Sequence, residues 1–268
     1  MAWEIDISQQ PEKIGIATPH MGEVSAGYAA GLKACQIPFD ILMIMQKNAP
    51  LDLARNMCVS QALKNSCTRI FFVDSDIELG VDTFIKLFNT DMPIISATYF
   101  ERAPPYKVVA RMNGVPLEPD LIKRYNTPVQ AILEVHEVGL GAILIDIRIF
   151  ARLGAKINKW TCLVDHTKEI NKMVVNYTHA QAVAQNYECS ICHNLLVCPF
   201  FQHRNGFFDD LPVSEDYMWS ASVRNLGFQI FISPDAVVWH HSTAGDYKTG
   251  MDGPVTTMSH LGLAGAKI

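Results

Sequence analysis

The sequence has few basic residues and no apolar run long enough to span a membrane. Its 22 Lys and Arg residues are outnumbered by 27 Asp and Glu residues, which gives a formal net charge of −5. Non-specific nucleic-acid binding depends on a basic surface, so this balance disfavours it. Residues 1–6 lack the basic and apolar regions of a signal peptide. We therefore expect a soluble, cytoplasmic protein.

A disulfide framework is also disfavoured. The chain has seven cysteines, an odd number, and we expect thiols or metal ligands in a protein without an export signal. With 268 residues, of which 49% are hydrophobic, it can bury a sizeable core. We expect one large domain, or one domain with an insertion. The tail at 245–268 is expected to be either a mobile lid or disordered.

The first half of the chain alternates strand and helix patterns. Strands are predicted at residues 14–17, 39–45, 70–73 and 93–98, and helices at residues 24–34, 52–65 and 81–88. The first strand is predicted to break at Thr18-Pro19-His20. This alternation is typical of an α/β fold with a mostly parallel sheet flanked by helices.

The strongest functional signal follows the third predicted strand. The apolar run Ile70–Val73 ends abruptly in Asp74-Ser75-Asp76. Such a run is typical of a buried parallel strand, so both carboxylates should lie at its carboxyl end, where open α/β sheets bind ligands. A divalent cation beside a nucleotide diphosphate is the usual reason to gather carboxylates there. The sequence therefore predicts a metal-dependent enzyme acting on a nucleotide-linked substrate.

The second half carries three further patterns. Prolines make residues 101–130 a loop-rich excursion, and order returns at residues 133–138, before Gly139-Leu140-Gly141. These glycines suggest a tight bend or a close approach of the backbone to a ligand.

A helix is then predicted to begin at Ser214, with Glu215 and Asp216 favourable at the positive end of its dipole, and to stop at Gly227. Two short strands at 229–232 and 236–239, separated by residues 233–235, lead to His240-His241. The acids and a histidine are expected to face the same site as Asp76.

In this order the motifs resemble the nucleotide-sugar glycosyltransferases of the GT-A fold, especially the small family-two-like enzymes of bacteria, phages and archaeal viruses. The matching segments are Thr18-Pro19-His20, Leu51 to Asn56, Asp74-Ser75-Asp76, Val138 to Ala142, Ser214-Glu215-Asp216 and the strand ending at His240. The resemblance covers most of the chain outside residues 155–205. It implies a single GT-A catalytic domain over residues 1–268, with a Cys/His-rich insertion at 155–205, located in the host cytoplasm if the chain is viral.

The resemblance also implies roles for the matching residues. Residues implied to bind the nucleotide-sugar are Thr18, Pro19, Arg55, Asp74, Ser75, Asp76 and Gly141. Asp74, Asp76 and His240 would hold Mn²⁺ or Mg²⁺, and Asp216, with Glu215 beside it, would be the general base of an inverting transfer. The implied donor is a UDP-sugar. The acceptor hydroxyl could belong to a protein, a glycan, a lipid-linked sugar or a modified nucleobase.

Simpler interpretations of the same residues remain open. Arg55 could be a solvated charge, and Glu215 and Asp216 could only complement a helix dipole. His241 could take the place of His240 through a register shift of one residue.

The insertion suggests a second metal site. Cys189-Ser190-Ile191-Cys192 has the spacing that lets two thiolates bind one tetrahedral ion, and Cys198, with Cys162 or a histidine, could complete a structural zinc site. Buried thiols in a packed helix-turn are the alternative.

Two other functions are compatible with these motifs. One is a zinc-containing module that binds nucleic acid, which the lack of a basic stripe disfavours. The other is a phosphohydrolase of the haloacid dehalogenase type, in which Asp74 would be the nucleophile. That family places its motif after the first strand, whereas here it follows a third.

Overall fold

The computed structural model describes residues 11–101, 107–125, 132–202, 207–208, 211–212, 214–241, 247–250 and 253–256. The chain divides into two compact units. The first comprises Met1–Gly22, Phe39–Phe72 and Ile145–Phe228, and the second comprises Glu23–Pro38, Val73–Leu144 and Gln229–Ile268. Among the described helices, none combines the length and the apolar character needed to cross a bilayer.

Strands and helices alternate along much of the chain. The strands are β1 (Lys13–His20), β2 (Asp40–Lys47), β3 (Arg69–Val73), β4 (Ile77–Glu78), β5 (Ile94–Thr98), β6 (Ala110–Met112), β7 (Val115–Pro116), β8 (Leu133–Val135), β9 (Glu137–Val138), β10 (Ala142–Asp146), β11 (Trp160–Cys162), β12 (Val175–Tyr177), β13 (Leu196–Val197), β14 (Phe207–Phe208), β15 (Leu211–Pro212), β16 (Ile230–Val237), β17 (Trp239–His241), β18 (Tyr247–Gly250) and β19 (Gly253–Thr256). The helices are α1 (Ala26–Ala34), α2 (Leu51–Lys64), α3 (Thr83–Phe88), α4 (Pro119–Tyr125), α5 (Ile147–Ile157), α6 (Thr167–Ile170), α7 (His179–Ala184) and α8 (Glu215–Arg224).

The first unit contains three parallel strands in the order β2-β1-β3. Residues Ile70–Val73 of β3 are buried along their whole length, as expected for a parallel strand covered on both faces. Helix α2 packs on β1 and β2, and α5 packs against α2 and α8. A smaller antiparallel sheet, in the order β12-β11-β13, lies within the predicted insertion.

The second unit contains strands in the order β10-β5-β16-β8, in which β16 runs parallel to β5 and antiparallel to β8. A second, antiparallel sheet has the order β19-β18-β17-β4. Helix α3 packs on β5 and β16, and α1 packs on β4. The architecture is the predicted α/β class, with a largely parallel sheet flanked by helices.

Two predicted strand boundaries are wrong. Strand β1 does not break at Thr18, because β2 pairs with it as far as His20. Pro19 is tolerated there since β3 pairs with β1 only as far as Ala17, leaving one neighbour at the proline. Residues 233–235 do not separate two strands either. They lie within β16, whose pairing with β5 shifts register between Ser233 and Val237, and such an irregularity accommodates a proline.

The predicted tail contains strands β18 and β19. Its other residues, including residues 257–268, lie outside the described part of the chain.

Candidate functional site

The turn that follows β3 is held by backbone hydrogen bonds from three directions. The Asp74 N–H donates to the Gly141 carbonyl at 2.9 Å, the Ser25 N–H donates to the Ser75 carbonyl at 2.8 Å, and the His241 N–H donates to the Asp76 carbonyl at 2.8 Å. The two acids and the serine of the turn, Asp74, Asp76 and Ser75, are half-buried and not enclosed in the core. The turn therefore presents Asp74 and Asp76 on a fixed backbone while leaving their side chains partly accessible.

Asp76 and His240 lie side by side in the second unit. The His240 Nε2 atom is 3.6 Å from Asp76 Oδ2, and the two side chains are 14% and 20% exposed. The other ring nitrogen, Nδ1, is 2.9 Å from the Phe100 carbonyl oxygen. A carbonyl oxygen only accepts, so Nδ1 carries the proton, and in the neutral imidazole Nε2 keeps its lone pair towards Asp76. This is the orientation that a metal-binding histidine needs.

The distances of the two imidazole rings from the nearby carboxylates distinguish His240 from His241. Ile77 lies opposite His240 and Glu78 lies opposite Trp239, so Glu78 and His241 share one face of the β4–β17 pair. His241 does not approach Asp76 with its ring, but places Nε2 2.7 Å from Glu78 Oε2. His240 is therefore the histidine beside Asp76, and the one-residue alternative is not the arrangement adopted.

The glycines before β10 make room for Tyr99. A Cβ atom at Gly139 would lie 2.1 Å from Tyr99 Oη, and one at Gly141 would lie 3.0 Å from it. The Gly141 N–H donates to the same oxygen at 2.9 Å, and the Tyr99 ring packs edge-to-face on His240 with 5.8 Å between centroids. The sequence predicted a tight bend or a close approach to a ligand at these glycines, and the group that approaches them is the Tyr99 side chain, which packs against His240.

Thr18 and Pro19 belong to the first unit. Both are buried near the carboxyl end of β1, and Thr18 has no exposed surface. They lie in a different unit from Asp74 and Asp76.

Arg55 joins the two acids at the start of α8. Its side chain is 1% exposed, and Nη1 donates to Glu215 Oε1 at 2.6 Å and also to Asp216 Oδ1. The interpretation of Arg55 as a solvated charge is therefore wrong. Glu215 and Asp216 also do more than complement the helix dipole, and Asp216, at 18% side-chain exposure, is more accessible than Glu215, at 5%.

Replacing Arg55 with methionine is expected to destabilise the protein by about 3–5 kcal/mol, because it leaves two largely buried carboxylates without their cation. Urea denaturation measures the change. Lys64 is the control, since it pairs with Glu188 and the two side chains are 28% and 33% exposed, and Lys64→Met should cost about 0–1 kcal/mol. Equal losses in the two variants would contradict the role assigned to Arg55.

A cluster of sulfur and nitrogen atoms lies in the insertion, in the first unit. Cys162, His166, Cys189 and Cys192 each place one ligand atom so that all four lie within 4.8 Å of one another. The cluster contains His166 and not Cys198, which is fully buried outside it. Of the four predicted zinc ligands, Cys162, Cys189 and Cys192 are brought together, and His166 takes the place of Cys198. The spacing of Cys162 and His166, four residues apart, is the sequence signal that could have found this ligand.

The thiols of the cluster differ in acidity. Burial raises the pKa of Cys162 to about 12. Burial also opposes ionisation of Cys189, but hydrogen bonds to its sulfur from the Tyr177 hydroxyl and from backbone N–H groups of the following loop lower its pKa to about 6.

The chain matches no protein family model and no curated protein. Among solved structures it is similar to A197 from STIV, with a TM-score of 0.52 and 11% identity over 92% of this chain and 94% of that one. The chain has a GT-A-like fold. At this identity the likeness is one of fold.

Two weaker similarities are to glycosyltransferases. A structure of GalNAc-T7 with UDP, GalNAc and Mn²⁺ gives a TM-score of 0.48 and 11% identity over 87% of this chain and 44% of that one. A glycosyltransferase involved in glycosylation of the major capsid of PBCV-1 gives 0.29 and 13% identity over 52% and 64%.

Proposed function

We propose that this protein is a metal-dependent glycosyltransferase that moves a sugar from a nucleoside diphosphate sugar, in the first place a UDP-sugar, to an acceptor hydroxyl. The observation that carries the proposal is the juxtaposition of Asp76 and His240, with 3.6 Å between the carboxylate oxygen and the imidazole nitrogen. The acids occupy the turn after a buried parallel strand, in a chain with a GT-A-like fold.

The donor atoms at this turn favour Mn²⁺ over Mg²⁺. Asp76, with Asp74 two residues before it, supplies carboxylate oxygens, and His240 supplies an imidazole nitrogen. Mg²⁺ takes oxygen ligands almost exclusively, whereas imidazole suits the transition metals. When bound, the cation would neutralise charge on the departing nucleoside diphosphate.

The residues around the metal ligands keep them in place. The Phe100 carbonyl fixes the His240 tautomer, and Tyr99 packs against the same ring. The backbone bond from Asp74 to Gly141 holds the turn from the other side. Such supporting contacts maintain a ligand's geometry and basicity, and losing one typically costs about 10–100-fold in metal affinity or activity.

Asp216 is proposed as the general base. The acceptor oxygen would attack the anomeric carbon of the sugar, the bond from that carbon to the diphosphate oxygen would break, and the hydroxyl proton would pass to Asp216. Attack from the face opposite the diphosphate would invert the configuration. Glu215 is more deeply buried and shares Arg55, so we assign Glu215 and Arg55 to positioning Asp216.

The remaining assignments concern the nucleotide. Thr18 and Pro19 are proposed to line the nucleotide pocket, and Asp74 to contact the ribose or the metal. Arg55 donates to both acids, so we assign it to the acid pair and not to the diphosphate.

Calorimetric titration of the parent protein tests the proposal directly. UDP, GDP and their sugars are titrated in the presence of Mn²⁺, Mg²⁺ or a chelator. We expect a UDP or UDP-sugar signal that requires a divalent cation and is stronger with Mn²⁺. If no nucleotide binds under any of these metal conditions, the glycosyltransferase proposal is wrong.

A further inference from the structure

The cluster in the insertion has the spacing of a tetrahedral metal site. The Cys162 and Cys192 sulfurs are 3.6 Å apart, and His166 Nε2 lies 3.2, 3.5 and 3.7 Å from the sulfurs of Cys162, Cys189 and Cys192. Zn–S bonds of about 2.3 Å and Zn–N bonds of about 2.0–2.1 Å, at tetrahedral angles, separate two sulfurs by about 3.8 Å and a sulfur from a nitrogen by about 3.6 Å. The observed separations match these values to within a few tenths of an ångström.

The four residues of the cluster come from three segments of the chain that lie next to the small antiparallel sheet. Cys162 ends β11, His166 directly precedes α6, and Cys189 and Cys192 flank the turn before β13. In that turn the His193 N–H donates to the Cys189 carbonyl, and His193 adopts a left-handed backbone with a φ of 58°. The turn therefore folds both thiols of the Cys189-to-Cys192 pair back towards one point.

Hydrogen bonds to the sulfurs complete the surroundings of the cluster. The Tyr177 hydroxyl lies 3.2 Å from Cys189 Sγ, and Asn194 Nδ2 lies 3.3 Å from Cys192 Sγ. The other nitrogen of His166, Nδ1, faces the Glu169 carboxylate at 3.9 Å. Donors around thiolates and a carboxylate behind an imidazole are the usual outer shell of a zinc site.

We infer that Cys162, His166, Cys189 and Cys192 bind one structural Zn²⁺ ion. Three thiolates and one imidazole are the ligands that this metal takes in closed, four-coordinate structural sites. The four residues fill all four positions, so the site offers no open position for a substrate. Binding would displace the thiol protons and would stabilise the fold of the insertion.

The site has a structural consequence within the first unit. After β13 the chain passes through Cys198 to Phe201, whose backbone N–H and carbonyl are both hydrogen-bonded by the Asn56 amide of α2, at 2.8 and 2.9 Å. Phe201 also packs against Phe72 and Trp219. Asn56 is adjacent to Arg55, and Trp219 lies on the helix that begins with Glu215 and Asp216. The zinc ion would therefore order the segment that packs behind the acid pair.

Metal analysis and zinc-edge X-ray absorption of the parent protein test this inference without any substitution. We expect about one zinc ion per chain, surrounded by three sulfurs at about 2.3 Å and one nitrogen at about 2.0 Å. Four sulfurs would overturn the ligand set, because Cys198 would then replace His166. A protein that holds no zinc, even after zinc is supplied to the reduced form, would overturn the site itself, as would a Cys162–Cys192 disulfide found by mass spectrometry.

Substitutions provide the matched comparison. Cys192 is the most exposed of the four ligands, so Cys192→Ser should lose zinc with the least damage to packing, and Cys192→His should keep it. Cys198→Ser removes a buried thiol outside the cluster and should retain the parent zinc content. Hydrogen exchange of the chelator-treated parent should rise over residues 160–201 and stay unchanged in β5. Equal zinc content in Cys192→Ser and Cys198→Ser would contradict the assignment, and all these measurements are independent of glycosyl transfer.

Discussion

Asp76→Asn is expected to abolish Mn²⁺-dependent binding of UDP and to stop sugar transfer. The substitution keeps the shape of the side chain but removes the negative charge beside His240 Nε2. A metal ion in such a site is worth several kcal/mol of charge stabilisation, so affinity for the nucleotide in Mn²⁺ should fall by at least about a hundredfold, or about 2.7 kcal/mol. Calorimetry with and without Mn²⁺ measures the loss.

Neighbouring residues provide controls for this variant. His240→Ala should lose the same metal-dependent binding, whereas His241→Ala should keep it because His241 bonds to Glu78 instead. The melting temperature of Asp76→Asn should stay close to that of the parent, since the side chain lies in a half-buried turn and not in the core. If His241→Ala loses Mn²⁺-dependent binding while His240→Ala retains it, the proposed metal centre is wrong.

Asp216→Asn is expected to spare nucleotide binding and to slow transfer by about 10²–10⁴-fold, the usual contribution of a general base. An asparagine can still accept the hydrogen bond from Arg55, so the substitution changes the acid-base chemistry more than the packing. Product formation from a UDP-sugar and an acceptor found by screening measures the rate. Calorimetry on the same sample shows whether the nucleotide still binds.

Glu215→Gln separates the base from the residues that position it. Glu215 shares Arg55 but its side chain is only 5% exposed, so we expect a loss of stability with a smaller loss of rate. If Asp216→Asn and Glu215→Gln lose transfer equally, transfer depends on the whole group of Arg55, Glu215 and Asp216, and neither acid alone is the base. Transfer at the parent rate by Asp216→Asn would refute the assignment of the base.

Local sequence patterns located strands β1, β2, β3 and β5, helices α1, α2, α3 and α8, and the acids of the candidate site. The run Ile70–Val73 identified the buried strand and placed Asp74 and Asp76 just beyond it. The acids after Ser214 marked the start of α8, although the Ser214 side chain makes no capping hydrogen bond. Gly227 ended the helical region with a φ of 86°, as a helix-stop glycine does.

Sequence patterns predicted strand boundaries wrongly where pairing with distant strands determines how far a strand extends. Pro19 and Pro234 looked like strand breakers, but each lies in a strand, at a place where one neighbour is missing or the register shifts. A proline in the sequence predicts only that its own backbone N–H cannot donate. It does not predict which edge of the strand is paired with a neighbour.

The α/β class, the acids at the carboxyl end of β3, the acid pair at the start of α8 and the Cys189 and Cys192 pair could all be predicted from sequence patterns, because they depend on residues close together in the chain. Three features became known from the folded chain alone: His240 and not His241 lies beside Asp76, the buried Arg55 bonds to both Glu215 and Asp216, and His166 joins the cysteines in place of Cys198. Each of these depends on contacts between separate elements. Asp76 lies in the turn before β4, outside the pairing of β4 with β17, so the alternation of side chains along these strands does not predict which histidine approaches it.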